Sequence, residues 1–433
     1  MIQPREARLF NVSDVRVSTV DKHTNEGEQA VRLCNYVDVY KNEVILNDFD
    51  FMPATCTPDE IARFRLAPGD VVFTKDSETA DDIGIPAFVE TSAPDLVCGY
   101  HVAIATPHQD LVDPKFLFWY LNSRPAFAWW ETRASGVTRV GLRQEDIRHL
   151  PLGALPPMSH QRAIADFLDR ETAQIDAMIE AQERVVARLT ERRSSTITTL
   201  VTGHALGLPL TASGNPLLGE VPEGWEVGRF GRHTRINGGQ VDPGTEPWNE
   251  MILVAPNHVE SGTGRLLALE TAAEQGADSG KYLVRKGQII YSKIRPSLNK
   301  VTIAPQDVLC SADMYGITCL GEGDHRYFAN FMLATPFHQY ATMVSDRVKM
   351  PKINREELSA APWLVPPMAE QTRIADLVDA TTRELDTAIS ETRTLSALLH
   401  ERREALITAA VTGRIDPATG VERIDPTTER EAS

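Results

Sequence analysis

A stretch of 48 residues occurs twice in this chain and constrains everything else it can do. Residues 156–203 begin PPMSHQRAIADFLD and end LTERRSSTITTLVTG; residues 366–413 begin PPMAEQTRIADLVD and end LHERREALITAAVTG. A shift of 210 positions aligns the two without a gap, and 21 of the 48 positions are identical. Such a repeat is one structural unit used twice. Residues 158–201 lack Pro and Gly and are rich in Ala, Leu, Glu, Gln and Arg, which predicts one long helix of roughly 65 Å. Steps of four and three mark a stripe: Leu168, Thr172, Ile175, Ile179, Gln182, Val186, Leu189, Arg193, Thr196 and Leu200. The second copy repeats it as Val378, Thr382, Leu385, Ile389, Thr392, Ser396, Leu399, Arg403, Leu406 and Ala410. One such helix cannot bury its stripe alone, so its economical partner is the other copy.

The repeat divides the chain. Residues 1–155 form a mixed module: Val31-Arg32-Leu33, Asp70-Val71-Val72-Phe73 and His101-Val102-Ala103-Ile104 read as strands between Gly, Pro and Asp turns. Pro114 to Trp130 reads as helical, broken or restarted at Pro125. Residues 156–203 are the first spacer helix and 204–224 a linker. Residues 225–364 make a second mixed module, 365–413 the second spacer helix and 414–433 a polar, loose tail. The modules differ in sequence yet share a plan. Gly287-Gln288-Ile289-Ile290-Tyr291-Ser292-Lys293 sits where Gly69-Asp70-Val71-Val72-Phe73-Thr74-Lys75 sits in the first, and Ile353-Asn354-Arg355 matches Leu142-Arg143-Gln144. The expected class is α+β: two globular mixed α/β modules separated by two long antiparallel helices that form a coiled-coil-like spacer.

With 433 residues the chain has length for two to four domains. No window approaches 18 uninterrupted apolar residues, and MIQPREARLF lacks a signal-peptide core, so neither a membrane span nor secretion is expected. The five cysteines form no CxxC pair; that spacing argues against zinc and a disulfide framework and fits a reducing cytoplasm. A net charge of −16 votes against nucleic acid when taken globally, although phosphates are contacted by local patches.

The chain resembles the specificity (S) subunits of type I restriction-modification systems, which act in phage defence. The resemblance covers essentially the whole chain. It rests on both PPM–x2–Q–x2–IAD–x2–D segments, both E-R-R…V-T-G helix ends, and Val221-Pro222-Glu223-Gly224-Trp225 opening the second module. The first module adds Gly69-Asp70-Val71-Val72-Phe73-Thr74-Lys75-Asp76-Ser77 with Gly84-Ile85-Pro86. The resemblance implies two target recognition domains, each reading one half of a bipartite, asymmetric site on double-stranded DNA, held apart by the spacer. It implies as partners two methyltransferase (M) subunits and the restriction (R) subunits. It also implies that this chain holds no cofactor, while S-adenosylmethionine, ATP and Mg2+ belong to those partners. The residues agree that the chain is not catalytic. No Asn-Pro-Pro-aromatic motif occurs, Gly276-Ala277-Asp278-Ser279-Gly280-Lys281-Tyr282 fails as a phosphate loop, and His258-x-Glu260 is followed by no PCxxC. A competing reading is a coiled-coil scaffold whose two arms bind proteins, which the acidic net charge favours.

Candidate DNA contacts fall in three places. Residues 281–306 carry Lys281, Arg285, Lys286, Lys293, Arg295 and Lys300 and no acid; within them Lys293, Arg295, Ser297, Asn299 and Lys300 form a basic, polar loop suited to phosphates and base edges. The plain alternative is a solvated strand–loop face. Arg347, Lys349 and Lys352 in the second module, with Thr138, Arg139 and Arg143 in the first, precede the same short helical turn, as a shared phosphate clamp or as helix-capping loops. Lys75 and Ser77 are the third group, opposed by Asp76, Glu78, Asp81 and Asp82. Tyr100, His101, Asp313 and Tyr315 read as buried sheet residues, and the run Phe116, Phe118, Trp119, Tyr120, Phe127, Trp129 and Trp130 as core. Arg192-Arg193 and Arg402-Arg403 either bind a partner or pair with acids.

Overall fold

Each copy of the repeat forms one unbroken helix of 44 residues, Met158–Val201 and Met368–Val411. None of the twenty stripe positions is exposed, so the spacing read from the sequence is the buried face. Both helices stop the same way. Gly203 and Gly413 adopt φ of 81° and 76°, the left-handed conformation that ends a helix and that side chains with a Cβ resist. The computed structural model describes residues 6–236, 238–321, 323–346 and 350–421. Among them no helix is long and apolar enough to cross a membrane.

Two compact units make up the chain. One takes the chain up to Ala181 together with the chain from Leu395 onward; the other is Gln182–Thr394. Each unit therefore holds one mixed module, one half of the first long helix and one half of the second. In the first unit Phe167 and Leu168 share a core with Ile407, Ala410 and Val411, while Ile175 and Ile179 pack with Leu399. Numbers rise on one helix as they fall on the other, so the halves are antiparallel. In the second unit Ile197, Leu200 and Val201 share a core with Ile374, Ala375 and Val378, again antiparallel.

The sheets explain why two dissimilar sequences share one plan. In the first module the spatial order is Ser13–Val17, Val102–Pro107, Val71–Thr74, Pro86–Val89, Val44–Ile45. In the second it is Thr234–Ile236, Met314–Cys319, Ile289–Ser292, Val301–Ile303. The two central strands pair antiparallel in both, Ala103 opposite Phe73 and Ile317 opposite Ile289. Of these, Val71–Thr74 and Ile289–Ser292 are buried along their whole length, as their apolar runs require. A second sheet adjoins each: Met52–Cys56, Gln29–Cys34 and Leu96–Cys98 in the first module; Gln240–Val241, Lys281–Val284, Val308–Cys310 and Leu253–Val254 in the second.

Helices close the cores. Pro114–Leu121 and Arg124–Glu131 are separate, with Pro125 inside the first turn of the second, where its missing N–H costs nothing. Phe116, Phe118, Trp119, Tyr120 and Trp130 are buried, and His325–Leu333 and Thr335–Ser345 bury Phe331 and Phe337 likewise. The aromatic run is core. The linker 204–224 holds a small hairpin, Leu210–Ala212 with Glu220–Pro222, and sends Leu218 and Val221 into the second unit's core. The tail expected to be loose begins as a fastened stretch: Ile415 packs on the first unit's core and Asp416 accepts from the Gly420 amide at 2.8 Å. Residues 422–433 lie outside the described residues.

Candidate nucleic-acid interface

Candidates far apart in sequence meet at one place in each module. Lys75 closes the strand Val71–Thr74; its amide donates to the His101 carbonyl at 3.0 Å, and its carbonyl accepts from the Leu142 amide at 2.8 Å. Lys293 follows Ile289–Ser292 in the same way, donating to Asp313 at 3.0 Å and accepting from Ile353 at 2.9 Å. The next residue pairs across to the loop before the short helix in both modules, Asp76 with Gly141 and Ile294 with Lys352. A strand end, the turn into a neighbouring strand and the loop before a short helix thus form one three-way junction, built twice.

The side chains on the two junctions differ. In the first, Lys75 and the His101 ring both face the Asp76 carboxylate, with His101 Nδ1 2.8 Å from Oδ2. The Lys75 ammonium lies 5.0 Å from the Tyr100 ring and its side chain is only 12% exposed, so this cation is neutralised and held rather than offered to solvent. Tyr100 is 48% exposed, which corrects its assignment to the buried sheet; it sits on the turn between Leu96–Cys98 and Val102–Pro107. In the second junction Lys293 faces the Tyr315 ring at 5.8 Å, with Arg355 on the same ring at 5.4 Å. Tyr315 is buried as expected, its hydroxyl donating to the Ile353 carbonyl, whereas Asp313 is exposed.

Several expected contact residues have other work. Ser77 is buried in the ladder opposite Val140. Asn299 is buried and donates from Nδ2 to the Leu333 carbonyl at 3.0 Å, which makes it a strut of its loop and not a reader. The Lys300 ammonium is spent on the Pro256 carbonyl. Arg143 is exposed but bound to Asp146, Nε to Oδ2 at 2.7 Å, and that carboxylate raises its guanidinium pKa. The acid-free run 281–306 is also not one patch. Lys281 is buried with its ammonium on Ser279, and Arg285 pairs with Asp307 at 2.6 Å, just past the run. Exposed and suited to contact are Arg295, Ser297 and Lys352 in the second module and Thr138 and Arg139 in the first. Those last two lie on a loop closed by mutual bonds between Ser135 and Gly141 at 3.2 and 3.0 Å. Arg347 and Lys349 lie outside the described residues.

The motif residues of the repeat attach each module to its helices. Gln161 accepts from the Asp113 amide at 2.8 Å and donates to the Pro156 carbonyl at 2.8 Å. Gln371 does the same with Asp324 at 3.0 Å and Pro366 at 2.9 Å. Asp113 and Asp324 in turn cap the helices Pro114–Leu121 and His325–Leu333. The Thr198 and Thr408 hydroxyls accept the Thr335 and Arg124 amides, each at 3.1 Å. The second arginine of each E-R-R pairs with an acid across the helices, Arg193 with Asp386 and Arg403 with Asp176. The motif is therefore a set of attachment points. Lys281 and His258, which made two segments look catalytic, are both buried and bonded to their own loops.

Residues 222–393 match a family model described as the type I restriction modification DNA specificity domain. The type I restriction enzyme EcoDI specificity subunit of Escherichia coli is 30% identical over 331 residues, covering 73% of this chain and 73% of that one. A solved chain, reported under complex assembly and conformational transition of the type I R-M system, superposes with a TM-score of 0.60 at 16% identity over 94% of this chain and 97% of that one. That likeness fixes the fold, two mixed modules and two long helices. With a relative this similar over this much of both chains, the protein belongs to the type I restriction enzyme specificity subunits.

Proposed function

We propose that the two junctions are the DNA-reading edges of two target recognition domains, each reading one half of a bipartite, asymmetric site. The observation that carries this reading is a single main-chain frame built twice around a shared lysine with otherwise different rim side chains: Asp76, Tyr100 and His101 beside Lys75 in one module, Arg295, Lys352 and Arg355 beside Lys293 in the other. A scaffold that bound one protein twice would have kept those rims alike. In this reading phosphates are met by Arg139, Thr138 and Lys352, and bases by the junctions themselves. The remaining work falls to partners: two methyltransferase subunits supply S-adenosylmethionine chemistry, restriction subunits supply ATP- and Mg2+-dependent translocation and cleavage, and this chain supplies only the address. The place of action is the cytoplasm.

The test is sequencing of modified bases in cells with and without the gene, with intact partner subunits present. One bipartite methylated motif that vanishes with the gene supports the reading; no gene-dependent motif refutes it. Because the net charge is −16, the chain alone should grip DNA weakly until partners add cations.

A further inference from the structure

We propose that Arg295 reads a guanine in the half-site bound by the second module. The inference rests on the DNA-reading function above and adds the residue and the base.

The duplicated frame locates the residue. Lys75 corresponds to Lys293 and Asp76 to Ile294, so Ser77 corresponds to Arg295. Up to that point the two modules agree in main-chain bonding. Here they part. Ser77 stays in the ladder opposite Val140 and is buried, while Arg295 leaves the strand with φ 46° and ψ 60° and is exposed. A left-handed conformation is costly for a residue with a Cβ and persists only where surrounding bonds hold it. Those bonds are present. The Arg295 amide donates to the Pro351 carbonyl at 2.8 Å, and its carbonyl accepts from the Leu298 amide at 2.9 Å. The far end of the turn is fixed by Asn299, also left-handed at φ 45°, and the middle by the His338 ring at 3.0 Å from the Ser297 carbonyl.

The mount is held by several hydrogen bonds, and the Arg295 side chain is exposed. Among the described residues, three other cations of this junction are engaged: Lys293 and Arg355 with the Tyr315 ring, and Lys300 with the Pro256 carbonyl. Arg295 has no ion pair among the described residues. A phosphate contact needs only a nearby charge on a flexible stem, which exposed Lys352 supplies beside it. A planar fork on a fixed backbone suits two parallel hydrogen bonds to guanine O6 and N7, the commonest specific contact in the major groove.

The experiment uses the chain assembled with its methyltransferase subunits. Arg295→Lys keeps the charge and loses the fork; Arg295→Ala loses both. Modified-base sequencing should show one guanine of the second half-site relaxing in both variants, with the first half-site intact. The discrimination lost at that position should be about 5- to 150-fold. Binding to duplexes with 7-deazaguanine at each guanine in turn gives a readout independent of methylation. One such replacement should weaken the wild-type complex and leave the Arg295→Ala complex unaffected. The proposal is overturned if Arg295→Lys methylates the unchanged motif, if the second half-site holds no G·C pair, or if every replacement weakens both complexes equally. Absence of any gene-dependent motif in the wild type would instead remove the DNA-reading function itself.

Discussion

Arg193 meets Asp386 with Nε 2.7 Å from Oδ1 and Nη2 3.3 Å from Oδ2, and 210 positions later Arg403 meets Asp176 at 2.8 and 3.3 Å. Each arginine pairs with the acid of the other copy, so the contact is reciprocal and two-pronged in both units. The Arg193 side chain is 10% exposed and Asp386 47%, which places the pair between a surface bridge and a buried one. Asp386→Ala should cost about 1–3 kcal/mol by leaving a buried guanidinium under-satisfied. Asp176→Ala should cost less, because Arg403 keeps Glu43 at 2.6 Å. Urea unfolding of the two variants checks the order, and equal losses would contradict it.

Gly203→Ala and Gly413→Ala form a matched pair with different surroundings. A Cβ on Gly203 would lie 2.2 Å from Pro222 Cγ, whereas one on Gly413 meets nothing within 4 Å. Both pay the left-handed backbone cost of about 1 kcal/mol; only the first also pushes on Pro222 and on Trp225 of the second unit's core. Thermal unfolding should therefore show a clearly larger drop for Gly203→Ala.

Gln161 is buried, and its amide is spent on the Asp113 N–H and the Pro156 carbonyl. Gln161→Ala removes these bonds and a longer one to the Leu111 carbonyl at 3.3 Å, and should cost about 2 kcal/mol, with a similar loss for Gln371→Ala. Hydrogen exchange at the Asp113 amide should rise in the variant. Unchanged protection there would show that the glutamine does not hold it.

Glu260 predicts a response to acid. Burial works to raise its carboxyl, and bonds from Arg265, Thr263 and Arg393 outweigh burial, leaving it at about 2 against an ordinary 4.5. Its folded value lies below its unfolded one, so its contribution is complete above about pH 4.5 and fades as pH falls toward 2. Wild type should lose stability faster than Glu260→Gln across that window. Parallel pH curves would rule out the mechanism.

Arg139 stands exposed on its loop. If it meets a phosphate, Arg139→Ala should weaken DNA binding of the assembled complex alike on all sequences and reduce the salt slope by about 1. A changed methylation motif would make it a base reader instead.

The helices were legible because periodicity and the absence of Gly and Pro are local properties, and the stripe from Leu168 to Leu200 is the buried face. The junctions were half legible. Their strand-end lysines and capping loops stood out as repeated patterns, and the structure brings them together through bonds such as Leu142 to Lys75. Which of those side chains face outward was not legible, because it depends on partners distant in sequence. Asn299 turns inward for a carbonyl 34 residues away and Lys300 for one 44 residues back. Composition misled for a related reason: the acid-free run ends one residue before Asp307, which neutralises Arg285. The Arg193 and Arg403 pairs needed the register of two helices, which neither copy states alone.

The junction in each module is fastened by peptide groups: Lys75 and Lys293 engage their neighbours through N–H and C=O. Every residue but proline carries those same groups. The fastening therefore does not depend on which side chain projects from it. If the rims read DNA as proposed, substitution there would alter the address without loosening the joint, and single mutations would reach new specificities in a protein that still folds.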